Sequence, residues 1–228
     1  MKSPIFRYLF DPLCGWCYAS APGLAALADR YRDQLQMMPS GLFAGGGARP
    51  LARIADHATR YDKLVAEKTG QPYADAYFRD LLRKPNGVFD SGPAMYALVA
   101  LGEIDRSLEP HFLREVQIAR YVHARDTSLP AEVTAVAIEV ATEAGISLNP
   151  DQFEQSLTGD NTLAEKVLYR VTASVRLMNR LSVQGVPALV MTFDDQDLIF
   201  HGSTIYSGGP ALIATLDSVL ASQAIATN

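Results

Sequence analysis

Phe10-Asp11-Pro12-Leu13-Cys14-Gly15-Trp16-Cys17-Tyr18 contains both cysteines of the 228-residue chain. The apolar run Pro4-Ile5-Phe6-Arg7-Tyr8-Leu9-Phe10 leads into it, and a helical pattern follows. A C-x-x-C at such a switch from strand to helix lets one thiol stand exposed at a helix N-terminus. The other lies one turn behind it, near enough to close a disulfide. A free thiol titrates near ~8.5, but unpaired amides and the positive end of the helix dipole stabilise the anion, and values of roughly 3.5 to 7.5 occur in such motifs. Cys14 is therefore the expected nucleophile. Cys17, on the same face and less exposed, suits the resolving role. Gly15 lets backbone approach a substrate, and Trp16 shields the pair. Asp11, three residues upstream, is a candidate modulator whose negative charge would oppose a stabilised thiolate.

Outward from this motif the pattern alternates between strand and helix. Ala21, Leu24, Leu27, Ala28 and Tyr31 recur at three- and four-residue intervals, which predicts a helix from Gly15 to about Asp33 with a kink at Pro22. A second strand fits Gln36 to Leu42, closed by Gly45-Gly46-Gly47. From Pro50 to Ser182 the chain reads as helices over 51–69, 72–82, 93–101, 110–121, 130–144, 150–158 and 161–181, several opened by proline. Ala188-Leu189-Val190-Met191-Thr192-Phe193, a polar turn over 194–197 and Leu198-Ile199-Phe200 give a hairpin signal. A last helix follows Gly208-Gly209-Pro210, with Leu212, Ile213, Leu216, Val219 and Leu220 on its apolar face.

Composition narrows the class of function. With 48% hydrophobic and 20% charged residues, the chain falls in the range of ordinary globular proteins. A formal charge of -5 leaves no basic footprint for nucleic acid or an anionic membrane surface. No apolar stretch approaches the ~20 residues of a spanning helix. The N-terminal segment, with Arg7 inside its short apolar run, does not read as a secretory signal, so a cytoplasmic setting is expected. A zinc site needs about four ligands, and His57, His111, His123 and His201 are scattered without metal spacing. Neither a metal nor an organic cofactor is expected. Chance proximity of two small core cysteines is the bland alternative.

Gln184-Gly185-Val186-Pro187-Ala188-Leu189-Val190 sets a proline at the start of a strand, where its missing N–H costs no ladder bond. On this stretch alone, a trans strand start and a cis Val186–Pro187 bond both remain open. Together, the motif after the first strand, the helical stretch and Gly-Val-Pro before the third strand resemble the DsbA-like branch of the thioredoxin superfamily. The resemblance runs over essentially the whole length. Phe10 to Tyr18 is similar to the active-site stretch of its FrnE-like disulfide isomerases, with weaker likenesses at Phe89-Asp90-Ser91 and Gln117-Ile118-Ala119-Arg120-Tyr121.

That resemblance implies an α/β fold, thioredoxin-like over 1–47 and 183–228, with an inserted helical domain over 48–182 that covers the active site and shapes a groove. It also implies a cis Pro187 against the redox pair, with Val186 offering backbone to an extended substrate. The implied activity is thiol-disulfide oxidoreduction on protein disulfides or dithiols, or on a small thiol such as glutathione. The periplasmic oxidases of the family carry a signal peptide and Cys-Pro-His-Cys; this chain carries Cys-Gly-Trp-Cys instead, and no secretory signal is expected for it. Glutathione-dependent relatives, the kappa-class transferases and hydroxychromene carboxylate isomerases, carry serine at the position of Cys14. An isomerase or transferase of that kind and a non-catalytic redox sensor are the alternative functions.

Other features carry bland readings. Gly41 to Gly47 lacks the spacing of a phosphate loop. Met37-Met38 fits a buried strand, and Tyr61, Tyr73, Tyr77, Tyr96 and Tyr121 are expected to pack with their hydroxyls outward. His57 and His123 fit solvated helix faces.

Overall fold

The computed structural model describes the backbone of residues 3–226 and the side chains of residues 3–222. Strand β1 spans Ile5–Phe10 and lies inside a four-stranded sheet, so Phe6, Tyr8, Leu9 and Phe10 are all buried. β2 (Leu35–Pro39) runs parallel to it on one side, and β5 (Ala188–Phe193) runs antiparallel on the other. β6 (Gln196–His201) completes the order β2-β1-β5-β6. Arg7, the charge inside the apolar run, reaches across both neighbours of β1, donating to Gln36 Oε1 at 3.1 Å and to Thr192 Oγ1 at 2.7 Å. The β5–β6 hairpin turns on Asp194 and Asp195, with φ of 46° and 63°, the left-handed pair that a two-residue turn needs. The turn is thus tighter than the four residues expected.

The first helical segment is two helices rather than one kinked helix. α1 covers Gly15–Ala19, Ser20 breaks it, and α2 covers Ala21–Arg30 with Pro22 in its first turn. A proline has no N–H to give and its ring crowds the carbonyl four residues back, so the helix restarts where those defects cost least. A 3-10 turn at Arg32–Gln34 replaces the expected end of the helix, and β2 stops at Pro39, short of Leu42.

Six helices make up the long central segment: α3 (Leu51–Thr69), α4 (Gly92–Ile104), α5 (Leu108–Tyr121), α6 (Pro130–Glu143), α7 (Pro150–Gly159) and α8 (Asn161–Arg180). α4 is apolar almost all round, and it packs against α5, α6, α7 and α8, as a helix without a polar face must. Where a helix was expected from Pro72, the chain instead makes a wide π turn at Tyr77–Leu81 that carries Tyr77 into the interior. Two short strands, β3 (Arg49–Pro50) and β4 (Val88–Phe89), pair antiparallel; two residues are too few to show a period in sequence. After β6, a short helix α9 (Ser203–Tyr206) precedes α10 (Gly209–Ala226). A Cβ on Gly209 would meet the Cβ of Ala26 at 2.8 Å, so glycine lets α10 close onto α2.

The architecture is a thioredoxin-like fold carrying a helical insertion. One apolar cluster runs from Phe6, Tyr8 and Leu189 in the sheet through Leu24 to Leu98, Phe112 and Val136 in the helices. A partly buried ion pair spans the same seam. Arg170 on α8 grips both oxygens of Glu109 on α5 at 2.7 and 2.6 Å and donates to the Met37 carbonyl of β2 at 2.6 Å. Burial raises the Glu109 carboxyl and Arg170 works against that rise. Residues 1, 2, 227 and 228, at the ends of the expected thioredoxin-like segment, lie outside the described residues.

Phe112 is fully buried in this shared cluster. Phe112→Ala is expected to lower unfolding free energy by about 3–5 kcal/mol. Urea unfolding followed by circular dichroism checks this; a loss under about 1 kcal/mol would mean that the cluster does not carry the junction.

Candidate active site

β1 ends at Phe10 and the chain turns through Asp11 to Leu13, with the Cys14 amide donating to the Asp11 carbonyl at 3.1 Å. Cys14 is the N-cap of α1, in extended conformation, and its carbonyl accepts from Cys17 N at 2.9 Å and Tyr18 N at 3.1 Å. Both thiols are free. Cys17 is 1% exposed, and Cys14, expected to stand exposed, is only 8% exposed. The Cys14 thiol donates to the Val186 carbonyl at 3.6 Å, across 172 residues of sequence. The Val186–Pro187 peptide is cis, and buried Pro187 sits immediately before β5. Cys17 Sγ accepts the Asp11 amide at 3.5 Å. Burial foremost, then the hydrogen bond and charge of Cys14, raises the Cys17 thiol well above its ordinary range. Cys17 therefore stays protonated at neutral pH. Trp16, half-buried, packs its ring 5.2 Å from that of Tyr206.

Asp11 is turned into the interior below the strand-to-helix switch. Its fully buried carboxylate accepts from Leu13 N at 3.0 Å, Phe43 N at 3.1 Å and Ser91 Oγ at 2.9 Å. It thereby ties the turn to the segment after β2 and to the start of α4. Burial outweighs these three bonds and raises the carboxyl to about 6. Its negative charge acts on Cys17, where it adds to the rise.

Sequence reasoning missed the polar groups contributed by the helical segment. Asp62 on α3 is 6% exposed, and Tyr77 donates to its Oδ2 at 2.6 Å. A Cβ on Gly15 would lie 2.0 Å from Asp62 Oδ1 and 3.3 Å from the Tyr73 hydroxyl, so glycine between the cysteines makes room for this carboxylate. The hydroxyls of Tyr73, Tyr77 and Tyr121 point inward, contrary to expectation; Tyr121 donates to the Leu13 carbonyl at 2.8 Å. Tyr18 stacks on Tyr121 with centroids 4.8 Å apart and meets Tyr73 edge-on at 5.4 Å, which seats α1 on the helices. Arg120 is buried behind Tyr77, its guanidinium 4.8 Å from the Phe89 ring centroid and 5.8 Å from that of Tyr77. A signal for Asp62 was present: it shares the helical phase of buried Ala55, Ala58 and Val65, where a carboxylate is out of place.

The other flagged residues lie elsewhere. His57 and His123 are exposed, and His111 faces Glu143 at 3.3 Å. Gly45–Gly47 forms a 3-10 turn leading to β3. A broad groove along α2, β2, α5 and α8 reaches Tyr18 and Gln71 but neither cysteine. Among the described residues, no helix is long and apolar enough to cross a membrane.

A two-cysteine motif at the N-terminus of α1, its first thiol on the Val186 carbonyl just before Pro187, marks this fold as that of a DsbA-like member of the thioredoxin superfamily, in the class of thiol-disulfide oxidoreductases. Among solved structures, the chain is similar to the cytosolic disulfide reductase DsbM from Pseudomonas aeruginosa. Identity is 29% over 95% of this chain and 98% of that one, with a TM-score of 0.77. DsbM solved with GSH matches at 28% identity over the same shares, with a TM-score of 0.75. A 2-hydroxychromene-2-carboxylate isomerase shares the fold alone, at 18% identity over 98% of this chain and 99% of that one and a TM-score of 0.53. No family model and no curated protein matches.

Asp11 gives a test of the buried turn. Its carboxyl is raised in the folded protein from 3.8 to about 6, so the folded state binds the extra proton between those values. Its contribution to stability falls by about 1.4 kcal/mol per pH unit as pH rises from ~4 to ~6, then levels off. Asp11→Asn lacks this loss. Apart from a constant offset for altered hydrogen bonds, the variant should gain on wild type over that window in urea unfolding at several pH values. Parallel stability curves would refute the buried, titrating carboxyl.

Proposed function

We propose that the chain reduces disulfides by thiol-disulfide exchange, with Cys14 as nucleophile and Cys17 as resolving thiol. The observation that carries this reading is the Cys14 thiol at the N-cap of α1, held 3.6 Å from the Val186 carbonyl beside Pro187. The thiolate of Cys14 attacks one sulfur of a substrate disulfide, and the other sulfur leaves with the electron pair and takes a proton. Cys17 then gives up its proton and attacks Cys14 Sγ in the mixed disulfide, releasing the second substrate thiol. Two electrons and two protons pass from the dithiol to the substrate, leaving Cys14–Cys17 as the disulfide. The buried, protonated Cys17 suits a thiol that acts second.

Gly15 and Trp16 form the spacer, with Trp16 and Tyr206 as an apolar wall. Val186 presents backbone to an extended substrate segment. A small thiol such as glutathione, or a protein disulfide, is the substrate class, supported by likeness to DsbM solved with GSH. That relative's description as a cytosolic disulfide reductase supports the reducing direction and a reducing compartment. We further infer that residues 48–182 act as a cover on a thioredoxin-like part formed by 1–47 and 183–228.

The reading is tested by turnover of a mixed disulfide of glutathione and a reporter thiol, with the enzyme regenerated by excess glutathione. Cys14→Ala is expected to abolish turnover, and Cys17→Ala, given the disulfide substrate without added glutathione, to accumulate a mixed disulfide on Cys14 visible by mass spectrometry. Undiminished turnover in Cys14→Ala would sink the mechanism. Full isomerase or transferase activity in Cys17→Ala would favour the glutathione-dependent alternative. A single turnover with redox-dependent partner binding would favour a sensor.

A further inference from the structure

The helical segment places a buried carboxylate against the backbone between the two cysteines, and the exchange steps above do not use it. Asp62 Oδ1 sits so close to Gly15 that a Cβ there would lie 2.0 Å away, while Oδ2 is anchored by Tyr77 at 2.6 Å. The Tyr73 hydroxyl, buried and without a hydrogen-bond partner, lies beside the same glycine. Burial foremost, then the charge of Asp62 and least that of Cys14, raises that hydroxyl. The surrounding titratable groups are Tyr18 of α1, Tyr73, Tyr77 of the π turn, and Arg120 and Tyr121 of α5. Burial raises the four tyrosines, so at neutral pH they are uncharged and Asp62 and Arg120 are the charged members. Asp11 gives its amide to Cys17 Sγ, and its charge adds to the rise of that thiol.

We propose that Asp62 is a positioning residue that sets the redox poise of the Cys14–Cys17 couple, its carboxylate opposing negative charge on the reduced pair and holding the couple toward the reducing side. This deepens the functional reading above and rests on it. Charges in a poorly solvated site interact far more strongly than in water, and stabilising the reduced thiolate is what makes a couple oxidising. Asp62 does the reverse. Burial, the largest influence, raises its carboxyl to about 6, while the Tyr77 hydrogen bond and Arg120 pull it down. It is therefore ionised at neutral pH. As pH falls through about 6 it takes up a proton, the repulsion ceases and the couple becomes more oxidising. No bond to Asp62 forms or breaks.

The test is the equilibrium constant between full-length protein and the glutathione couple at pH 7, read by trapping reduced and oxidised forms. Asp62→Asn keeps an acceptor for Tyr77 and is expected to shift the equilibrium about tenfold toward the dithiol, which for two electrons is about 30 mV. Alkylation of reduced Cys14 by iodoacetamide at pH 7 should quicken severalfold. Tyr77→Phe, which removes the bond that favours the ionised carboxyl, should move both readouts the same way by less. Adding Tyr77→Phe to Asp62→Asn should then give no more than Asp62→Asn alone. The pH dependence of the constant near 6 should flatten in Asp62→Asn. A folded Asp62→Asn protein whose constant stays within twofold of wild type would overturn the proposal, whatever its melting temperature, because a purely structural role moves stability alone. The constant is measured on the protein's own cysteines, so failed substrate turnover would count against the functional reading and not against this one.

Discussion

Everything at the site depends on the antiparallel pairing of β1 with β5. Leu9 opposite Ala188 sets the end of β1 against the start of β5. The residue just before β5 is Pro187, and five residues beyond Leu9 the chain has turned and reached Cys14. Only this register brings the Cys14 thiol to the Val186 carbonyl. A slip by one residue would move the partners by about 3.3 Å and turn each side chain of β5 to the opposite face. Leu189 and Met191 fill the cluster that holds Phe6 and Phe112, while the smaller Ala188 and Val190 pack with Leu9 and Leu177, so a slip would exchange large and small side chains between two packed faces. The same hydrophobic burial that builds the sheet fixes the redox geometry.

Buried charge is concentrated around the motif. Asp11 and Asp62 are almost wholly removed from water, as is Arg120. Charged groups in such surroundings cost free energy unless they are bonded or paired. Asp11 meets that cost with three hydrogen bonds that organise the turn before Cys14. Asp62 has one bond from Tyr77 and the field of Arg120, and its Oδ1 lies against Gly15, between the two cysteines in sequence. The helical segment is thus more than a cover, because it carries charge to the first turn of α1. The Glu109–Arg170 pair, with its contact to β2, couples that segment to the sheet.

Much of the architecture was legible because its signals are local. Proline and glycine punctuation located α3, α5, α6, α7 and α8 to within a few residues, and β1, β5 and the hairpin followed from apolar runs with turn residues between them. The errors share a cause. The π turn at Tyr77–Leu81 and the β3–β4 ladder answer to neighbours far away in sequence. Tyrosine hydroxyls were misassigned for the same reason, since Tyr121 turns inward to reach the Leu13 carbonyl, 108 residues away.

By itself, the sequence determined the class of chemistry and offered two thiols for it: one C-x-x-C, no other cysteine, and a strand-to-helix switch around it. It also determined the order of elements, because hydrophobic period and turn residues act over a few positions. Tertiary structure alone decided which groups surround the sulfurs. Asp62, Tyr73, Tyr77 and Arg120 come from 48 to 106 positions downstream of Cys14, and no local pattern relates them to it. Their convergence is a consequence of packing α1 on α3 and α5. Burial there strengthens every charge, so the residues that tune the pair are ones that a linear reading places far from it.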